Sequence, residues 1–470
     1  MALIGQADDA LIATPPRDLT WAAAAVFAVL PLSLWMRGFS IDDALISVRY
    51  ARHLADGVGY RFNVDGPVTD GVTPLPWPFL LAPLAHAAPL VVLGRAKVLG
   101  LLAWLAAAAG WGRAVGRAQA RIGVKLVAFA LLAACLPVAA HAVSGMETGV
   151  AMALATAACI VANPWTACGI AGLTAALRPE MIVWCVVFAL GAGAPRRATP
   201  RVVLASFPFA VCACIRGVAF GRLAPLALLA KPSDLDHGLP YAGASALVSL
   251  APVVLFAPMA LLRARDRSTT LAMAGLAHFG AIVVAGGDWM PYARLAAPII
   301  PSLLYAFVLA APHMSRVFMA LRAVVAAALA GYVLRVAAPA GRHVGANVAS
   351  LVDRARPVLA GARTIAALDV GWPTAACEAS IVDLAGLTDP EIAALPGGHT
   401  SKRVDAALLL GRNPDVLLLL AHRDSEGQPI YTRVVEARLA ASELIQQKYE
   451  ARAFLPYAED GAGYVVLRKR

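Results

Sequence analysis

The sequence predicts a mainly α-helical, polytopic membrane helix bundle of about eleven spans, followed by a small C-terminal extracytoplasmic α/β domain. Three observations predict it. Of the 470 residues, 60% are hydrophobic and the mean hydropathy is +0.70, whereas a soluble domain is nearer half apolar. Apolar runs alternate with short basic loops as far as residue 339, and from residue 340 the composition becomes mixed. The net charge of +11 divides at the same place: residues 340–470 carry 15 Lys/Arg and 15 Asp/Glu, while residues 1–339 carry 25 and 14.

The basic residues cluster in short loops: Arg113, Arg117, Arg121 and Lys125; Arg196, Arg197 and Arg201; Arg263, Arg265 and Arg267. Short basic loops between apolar segments mark the cytoplasmic side. The high basicity therefore reports topology and argues against a nucleic-acid partner. With those loops inside, the first span covers about residues 19–36 and runs outward. It follows a polar stretch and is followed by no A-x-A-like site, so it reads as a retained span rather than a cleaved signal. The next spans are expected near residues 95–112, 124–142, 147–162, 165–178, 180–194, 202–220, 241–262, 270–286, 293–311 and 316–336, against the ~20 residues needed to cross. The N-terminus then lies inside and the tail outside.

The outer loop 37–94 ends in an apolar stretch, 76–93, that contains Pro76, Pro78, Pro83, His86 and Pro89. Counting it as a span would place the Arg113–Lys125 cluster outside, so it is expected to lie on the outer surface or to re-enter. Asp42, Asp43, Asp56, Asp65, Asp70, Glu147, Glu180, Asp234, Asp236 and Asp288 then all fall on the outer rim, ten of the fourteen acidic residues of this part. Of seven cysteines, six lie in apolar segments and Cys377 stands in the tail. No CxxC pair is present, which supports neither a metal nor a disulfide framework.

In the tail, Ile365–Val370, Ser380–Leu384 and Asp415–Leu420 read as buried strands. Arg433–Gln447 reads as one helix. Tyr449–Leu455 and Tyr464–Lys469, separated by Glu459-Asp-Gly-Ala-Gly, read as a hairpin. Domain boundaries follow at 1–339 and 340–470.

The chemistry concentrates in a few short stretches. Phe39-Ser-Ile-Asp42-Asp43-Ala-Leu-Ile-Ser-Val-Arg49-Tyr-Ala-Arg52-His53 places two adjacent carboxylates at a membrane surface, then two arginines and a histidine. If Asp42 begins a helix, Asp42, Ile46, Arg49 and His53 share one face. One Asp could simply cap the helix; two, with arginines following, suit a base and a phosphate contact. Adjacent like charges also push one carboxyl upward toward neutrality. Glu147, in Ser144-Gly-Met-Glu-Thr148, opens a span. Arg178-Pro179-Glu180 interrupts a long hydrophobic run, and an arginine on the outer side is unusual. Lys231 lies in an outer loop with Arg222. Gly286-Gly-Asp288-Trp289-Met-Pro291, followed by Arg294, supplies a carboxylate, a close-approach backbone and a ring able to stack on a sugar. His399, in Gly-Gly-His-Thr, has no partner in sequence and reads as a surface loop residue.

These blocks resemble the GT-C superfamily of polyprenyl-phosphate-sugar-dependent membrane glycosyltransferases, and are most similar to the terminal arabinofuranosyltransferases of cell-wall arabinan. Four carry the resemblance: Asp-Asp-Ala-Leu-Ile-Ser-Val-Arg-Tyr-Ala-Arg-His, Ser-Gly-Met-Glu-Thr, Leu-Arg-Pro-Glu and Gly-Gly-Asp-Trp-Met-Pro. The tail adds Val382-Asp-Leu-Ala-Gly-Leu-Thr-Asp-Pro390. The resemblance implies a GT-C-like fold, with the first outer loop carrying the catalytic Asp, juxtamembrane helices, and a donor site at the outer face of the inner or plasma membrane, toward the periplasm and cell envelope. It implies catalysis by Asp42 or Asp43, and donor-phosphate contacts from Arg49, Arg178 and Arg294. Arg52 and Lys231 join that cationic set, and His53, Glu147, Glu180, Asp288 and Trp289 are expected to bind substrate. Two stretches depart from the family. His53 stands where relatives often have Asn, and the loop 221–240 is less polar than theirs.

The expected activity is transfer of a sugar, an arabinofuranose by the resemblance, from a polyprenyl phosphate to a glycan, lipid or protein acceptor. Membrane lipids are the other expected partners. No cofactor is called for; the acidic rim could hold a divalent metal, though no ligand spacing demonstrates one. The rival readings are a transporter or flippase of a lipid-linked sugar, and a non-catalytic glycan-binding scaffold. A transporter would need charges near mid-membrane, whereas these lie at one rim.

Overall fold

The computed structural model describes residues 17–249, 253, 267–457 and 461–470. The polar stretch before residue 17, the later part of the expected span 241–262, Arg263, Arg265 and Asp266, and the hairpin-turn residues Glu459 and Asp460 lie outside the described residues.

The molecule is mainly helical, with a small sheet at its C-terminal end. Helix α1 (Arg17–Trp35) is followed by α2 (Asp42–Ala55), α3 (Pro76–Leu81) and α4 (Pro89–Arg117), and α1 packs along α4. Small residues permit that approach: a Cβ on Gly112 would lie 2.3 Å from the Trp21 carbonyl oxygen. The proline-rich stretch divides. Residues 76–84 form α3 and a short 3-10 turn, whereas Pro89 occupies the first turn of α4. Proline is well suited there because it lacks only an N–H that would have no partner. The expected surface segment 76–93 is therefore shorter, and the span expected to begin at 95 begins at 89.

Helices α5 (Ile122–Ala133) and α6 (Leu136–Ala142) bend by 54° at Cys135, with Pro137 in the first turn of α6. Then come α7 (Thr148–Ile160), α8 (Pro164–Leu177), α9 (Ile182–Gly191), α10 (Ala198–Phe220), α11 (Leu226–Ala230) and α12 (Leu235–Val248). The helices Arg267–Val284, Ile300–Ala310 and Arg316–Val336 complete this part. Among the described residues, five helices are long and apolar enough to cross a membrane, six if α5 and α6 make one span. The other described segments expected to span are shorter: α8, with 14 residues, reaches only about 21 Å against a hydrocarbon core of about 30 Å. Long helices also leave apolar side chains uncovered. On α10, Val203, Phe207, Val211, Ile215 and Val218 form an exposed stripe, as expected of a surface turned to lipid.

The tail starts with the helix Val344–Leu359, whose buried Val348, Leu351, Val352, Ala355 and Leu359 recur at helical spacing. Strands β1 (Thr364–Ala367), β2 (Ser380–Asp383), β3 (Val416–Arg423), β4 (Pro429–Ile430), β5 (Tyr449–Pro456) and β6 (Ala462–Lys469) form one mixed sheet of order β2-β1-β3-β6-β5, with β4 on β3. β1 runs parallel to β2 and β3; β3–β6 and the β5–β6 hairpin are antiparallel. The expected helix Arg433–Gln447 is two, Val434–Ala440 and Glu443–Lys448. Ser442 adopts the extended backbone of an N-cap residue and restarts the chain there.

Helix α2 docks the tail onto the helical part. Both oxygens of Asp42 accept backbone N–H bonds, from Gly371 at 2.8 Å and Trp372 at 2.7 Å. The contact is tight enough to require glycine, since a Cβ on Gly371 would lie 2.1 Å from the Asp42 carbonyl oxygen. Gly371→Ala is expected to cost about 1–3 kcal/mol through overpacking, seen as a lower melting temperature of the purified protein; an unchanged melt would show that the two parts do not depend on this junction.

Candidate functional site

A cavity of about 1000 Å³ lies where α2, the loop that follows it, the Arg178 break, the Lys231 loop and the Gly286–Arg294 loop meet. Several of the charged lining residues sit at or beside a helix end or a break in regular structure. Arg178 follows the last turn of α8 in extended conformation, because Pro179 disfavours the helical region for the residue before it. Glu147 precedes α7 and Asp43 stands in the first turn of α2. Lys231 follows α11. Asp288 follows two glycines of positive φ.

These residues form linked ion pairs. Arg178 Nη1 donates to Glu147 Oε1 at 2.7 Å, and its Nη2 lies 2.6 Å from Glu180 Oε1. Arg294 Nε donates to Asp288 Oδ2 at 2.7 Å. Burial works against charge on Asp288, but Arg294 and Lys231 outweigh it and hold the carboxyl below its ordinary value. Lys231 lines the cavity and makes no ion pair among the described residues. Glu147 Oε2 and Arg178 Nε are buried and make no hydrogen bond among the described residues, so both keep capacity for a ligand. The lining is also apolar in part, with Phe209, Ala213, Leu223, Leu228, Ala281 and Val284.

The structure thus brings together Asp43, Glu147, Arg178, Glu180, Lys231, Asp288 and Arg294 around one cavity. It does not bring the others there. Helical periodicity splits α2 into two faces: Asp43, Ile46 and Ser47 turn to the cavity, whereas Asp42, Arg49, Arg52 and His53 are engaged elsewhere. Asp42 is committed to Gly371 and Trp372. Burial and the neighbouring Asp369 push its carboxyl up, against the pull of those two N–H donors. Arg49 donates to the carbonyl oxygens of Phe62 at 2.6 Å and Ala379 at 2.9 Å, Arg52 pairs with Glu378, and His53 Nδ1 lies 2.7 Å from the Arg61 carbonyl. Arg49, Arg52 and His53, expected to contact donor or substrate, therefore do not line this cavity. Arg49→Ala is expected to destabilise by about 1–3 kcal/mol, the cost of leaving buried acceptors without their donor, while donor affinity in the surviving folded protein stays as in the wild type. A selective loss of donor binding at unchanged stability would contradict this placement.

Trp289 stands beside the cavity, not in its lining. His399 is half-buried against it, where a solvent-facing loop residue was expected. The four cavity carboxylates are tied to arginines or spread along the wall, and no group of three His, Cys, Asp or Glu able to hold a metal occurs among the described residues.

Three contributors went unrecognised in the sequence. Arg216, on α10, lines the cavity and donates to Asp70 Oδ2 at 2.8 Å. A lone arginine inside an apolar helix was the available signal. Leu387 reaches the cavity from the tail. Lys402, only 1% exposed, donates to the carbonyl oxygens of Ala393 at 2.6 Å, Leu395 at 2.9 Å and Leu229 at 3.3 Å. It ties the tail to α11, and so to the loop that displays Lys231.

Comparison with known proteins adds one match. A family model described as a domain of unknown function (DUF8728) matches residues 340–467, the helix and sheet of the tail. The chain matches no curated protein and no solved structure.

Proposed function

We propose that this protein is an integral-membrane glycosyltransferase that moves a sugar from a polyprenyl phosphate to an acceptor outside the cytoplasm. One observation carries the reading. A cavity is lined both by Asp43 with the cationic Arg178, Arg216, Lys231 and Arg294 and by apolar side chains such as Phe209, Leu223 and Leu228. A lipid-linked sugar phosphate combines the matching polar and apolar parts.

In this reading Asp43 takes the proton from the acceptor hydroxyl as that oxygen bonds to the anomeric carbon. The bond from that carbon to the phosphate oxygen breaks, and its electron pair leaves with the lipid phosphate. Lys231 compensates the departing charge most directly, because Arg178 and Arg294 already face carboxylates. Such preorganised charge acts most strongly where water is excluded. Glu147, Glu180 and Asp288 hold the arginines in place and leave oxygens for sugar hydroxyls. The apolar part of the lining receives the first prenyl units.

The short helices fit an eleven-span topology in which several spans are bent or thin, with the N-terminus inside and the tail outside. The GT-C resemblance, and within it the terminal arabinofuranosyltransferases, supports both the chemistry and a pentofuranose as the sugar. The test is a deletion strain complemented with wild type or with Asp43→Asn, followed by linkage analysis of envelope glycans. Loss of a terminal sugar that only the wild type restores is expected. An unchanged glycan profile in the deletion strain would overturn the proposal.

A further inference from the structure

The loop between Val284 and Ala297 carries an unusual run of left-handed backbone: Gly286 (φ 83), Gly287 (φ 74), Tyr292 (φ 59) and Ala293 (φ 49). The glycines let it press against the start of α12. A Cβ on Gly286 would lie 2.5 Å from the Asp234 nitrogen, and one on Gly287 would lie 2.9 Å from Tyr241 Cβ and 3.1 Å from His237 Nδ1. The result is a fixed arrangement of rings. His237 Nδ1 lies 2.9 Å from the Gly286 carbonyl oxygen, which can only accept, so Nδ1 donates a hydrogen there and the ring is held in place. The indole of Trp289 stacks on that imidazole, with centroids 4.3 Å apart and planes 9° from parallel. His399 of the tail lies at its edge, 5.6 Å away and tilted by 57°.

Trp289 is nevertheless 63% exposed. A tryptophan at a membrane interface ordinarily sits among lipid headgroups. This one has the sheet domain at its edge, so it stands at the junction of the two parts. It is also joined to the cavity. Asp288 Oδ1 accepts the Trp289 backbone N–H at 2.9 Å, while Asp288 Oδ2 accepts from Arg294.

We propose that Trp289, backed by His237 and flanked by His399, is a stacking platform for a neutral, hydroxyl-rich glycan. An indole face is apolar and matches the C–H face of a sugar ring, while imidazole nitrogens meet its hydroxyls. Burial and then Lys231 pull the His399 imidazole down to about 4, so it meets a hydroxyl as a neutral ring near pH 7. Under the glycosyltransferase reading, on which only this part rests, the platform is where the acceptor chain lies as its terminal hydroxyl approaches Asp43.

The test reads binding without a donor and without turnover, so it stands apart from the proposed reaction. Short neutral arabinan, galactan and mannan oligosaccharides are offered to the purified full-length protein, and saturation-transfer NMR reports contact. The wild type is expected to bind at least one of them. Trp289→Ala is expected to bind it about tenfold more weakly, the scale of one lost aromatic stack, with Trp289→Phe in between and all three melting alike. Equal binding by wild type and Trp289→Ala, or no binding of any oligosaccharide by the wild type, would overturn the platform. If binding behaves as expected and no polyprenyl-phosphate sugar is consumed, the platform stands and the proposed reaction fails.

Discussion

Asp43→Asn is expected to lower sugar transfer by about 10²–10⁴-fold, the usual cost of losing a general base, whereas Asp42→Asn is expected to keep turnover per folded molecule and lose stability instead. The two residues are neighbours in sequence and differ in surroundings. Asp43 lines the cavity with Lys231 and Arg294. Asp42 points the other way and spends both oxygens on backbone N–H groups of the tail. An amide in place of Asp42 retains one acceptor oxygen and puts an N–H₂ donor against an N–H donor, a clash that loosens the junction. Turnover by the purified variants, normalised to folded protein, separates the two. A catalytic loss confined to Asp42→Asn would reverse the assignment.

The second large effect is expected at Lys231. Lys231→Met should reduce use of a polyprenyl-phosphate donor by about 10²–10³-fold, as when one preorganised charge partner is removed from a dry site. Lys231→Arg should restore part of it. Lys231 is the informative position because it makes no ion pair among the described residues. Removing Arg178 or Arg294 would leave Glu147 or Asp288 buried without its counter-charge, at about 3–5 kcal/mol, and a folding defect would then imitate a donor defect. Donor-dependence kinetics on folded Lys231→Met decide the point; wild-type donor affinity and rate would place the phosphate elsewhere.

Much of this arrangement was legible in the sequence. Hydropathy marked the helical part, and the change of composition near residue 340 falls where the tail helix and sheet begin. The β5–β6 hairpin and three buried strands follow from apolar runs and turn residues, which are local signals. Arg178-Pro179-Glu180 and Gly286-Gly287-Asp288 were visible because they break an apolar run. What sequence could not supply was orientation. Asp42 and Asp43 differ by one residue, about 100° around a helix, and which of them meets the cavity depends on where Gly371 docks, more than 300 residues later. Arg49 resembled a phosphate ligand because its acceptors, Phe62 and Ala379, are carbonyl oxygens that leave no mark in composition. The Asp70–Arg216 pair joins the outer loop to α10 across 146 positions, and the ring stack of His237, Trp289 and His399 draws on three separate stretches. Hydropathy did not register the bend at Cys135, which divides the expected span 124–142 into α5 and α6.

The most direct test of the central claim is transfer by the purified full-length protein from a synthetic polyprenyl-phosphate pentofuranose to an envelope glycan. Wild type is expected to release polyprenyl phosphate and extend the glycan by one sugar in equal amounts, and Asp43→Asn and Lys231→Met are expected to do neither at a comparable rate. Wild-type protein that leaves every polyprenyl-phosphate sugar intact, or variants at Asp43 and Lys231 that transfer as fast as wild type, would contradict the account.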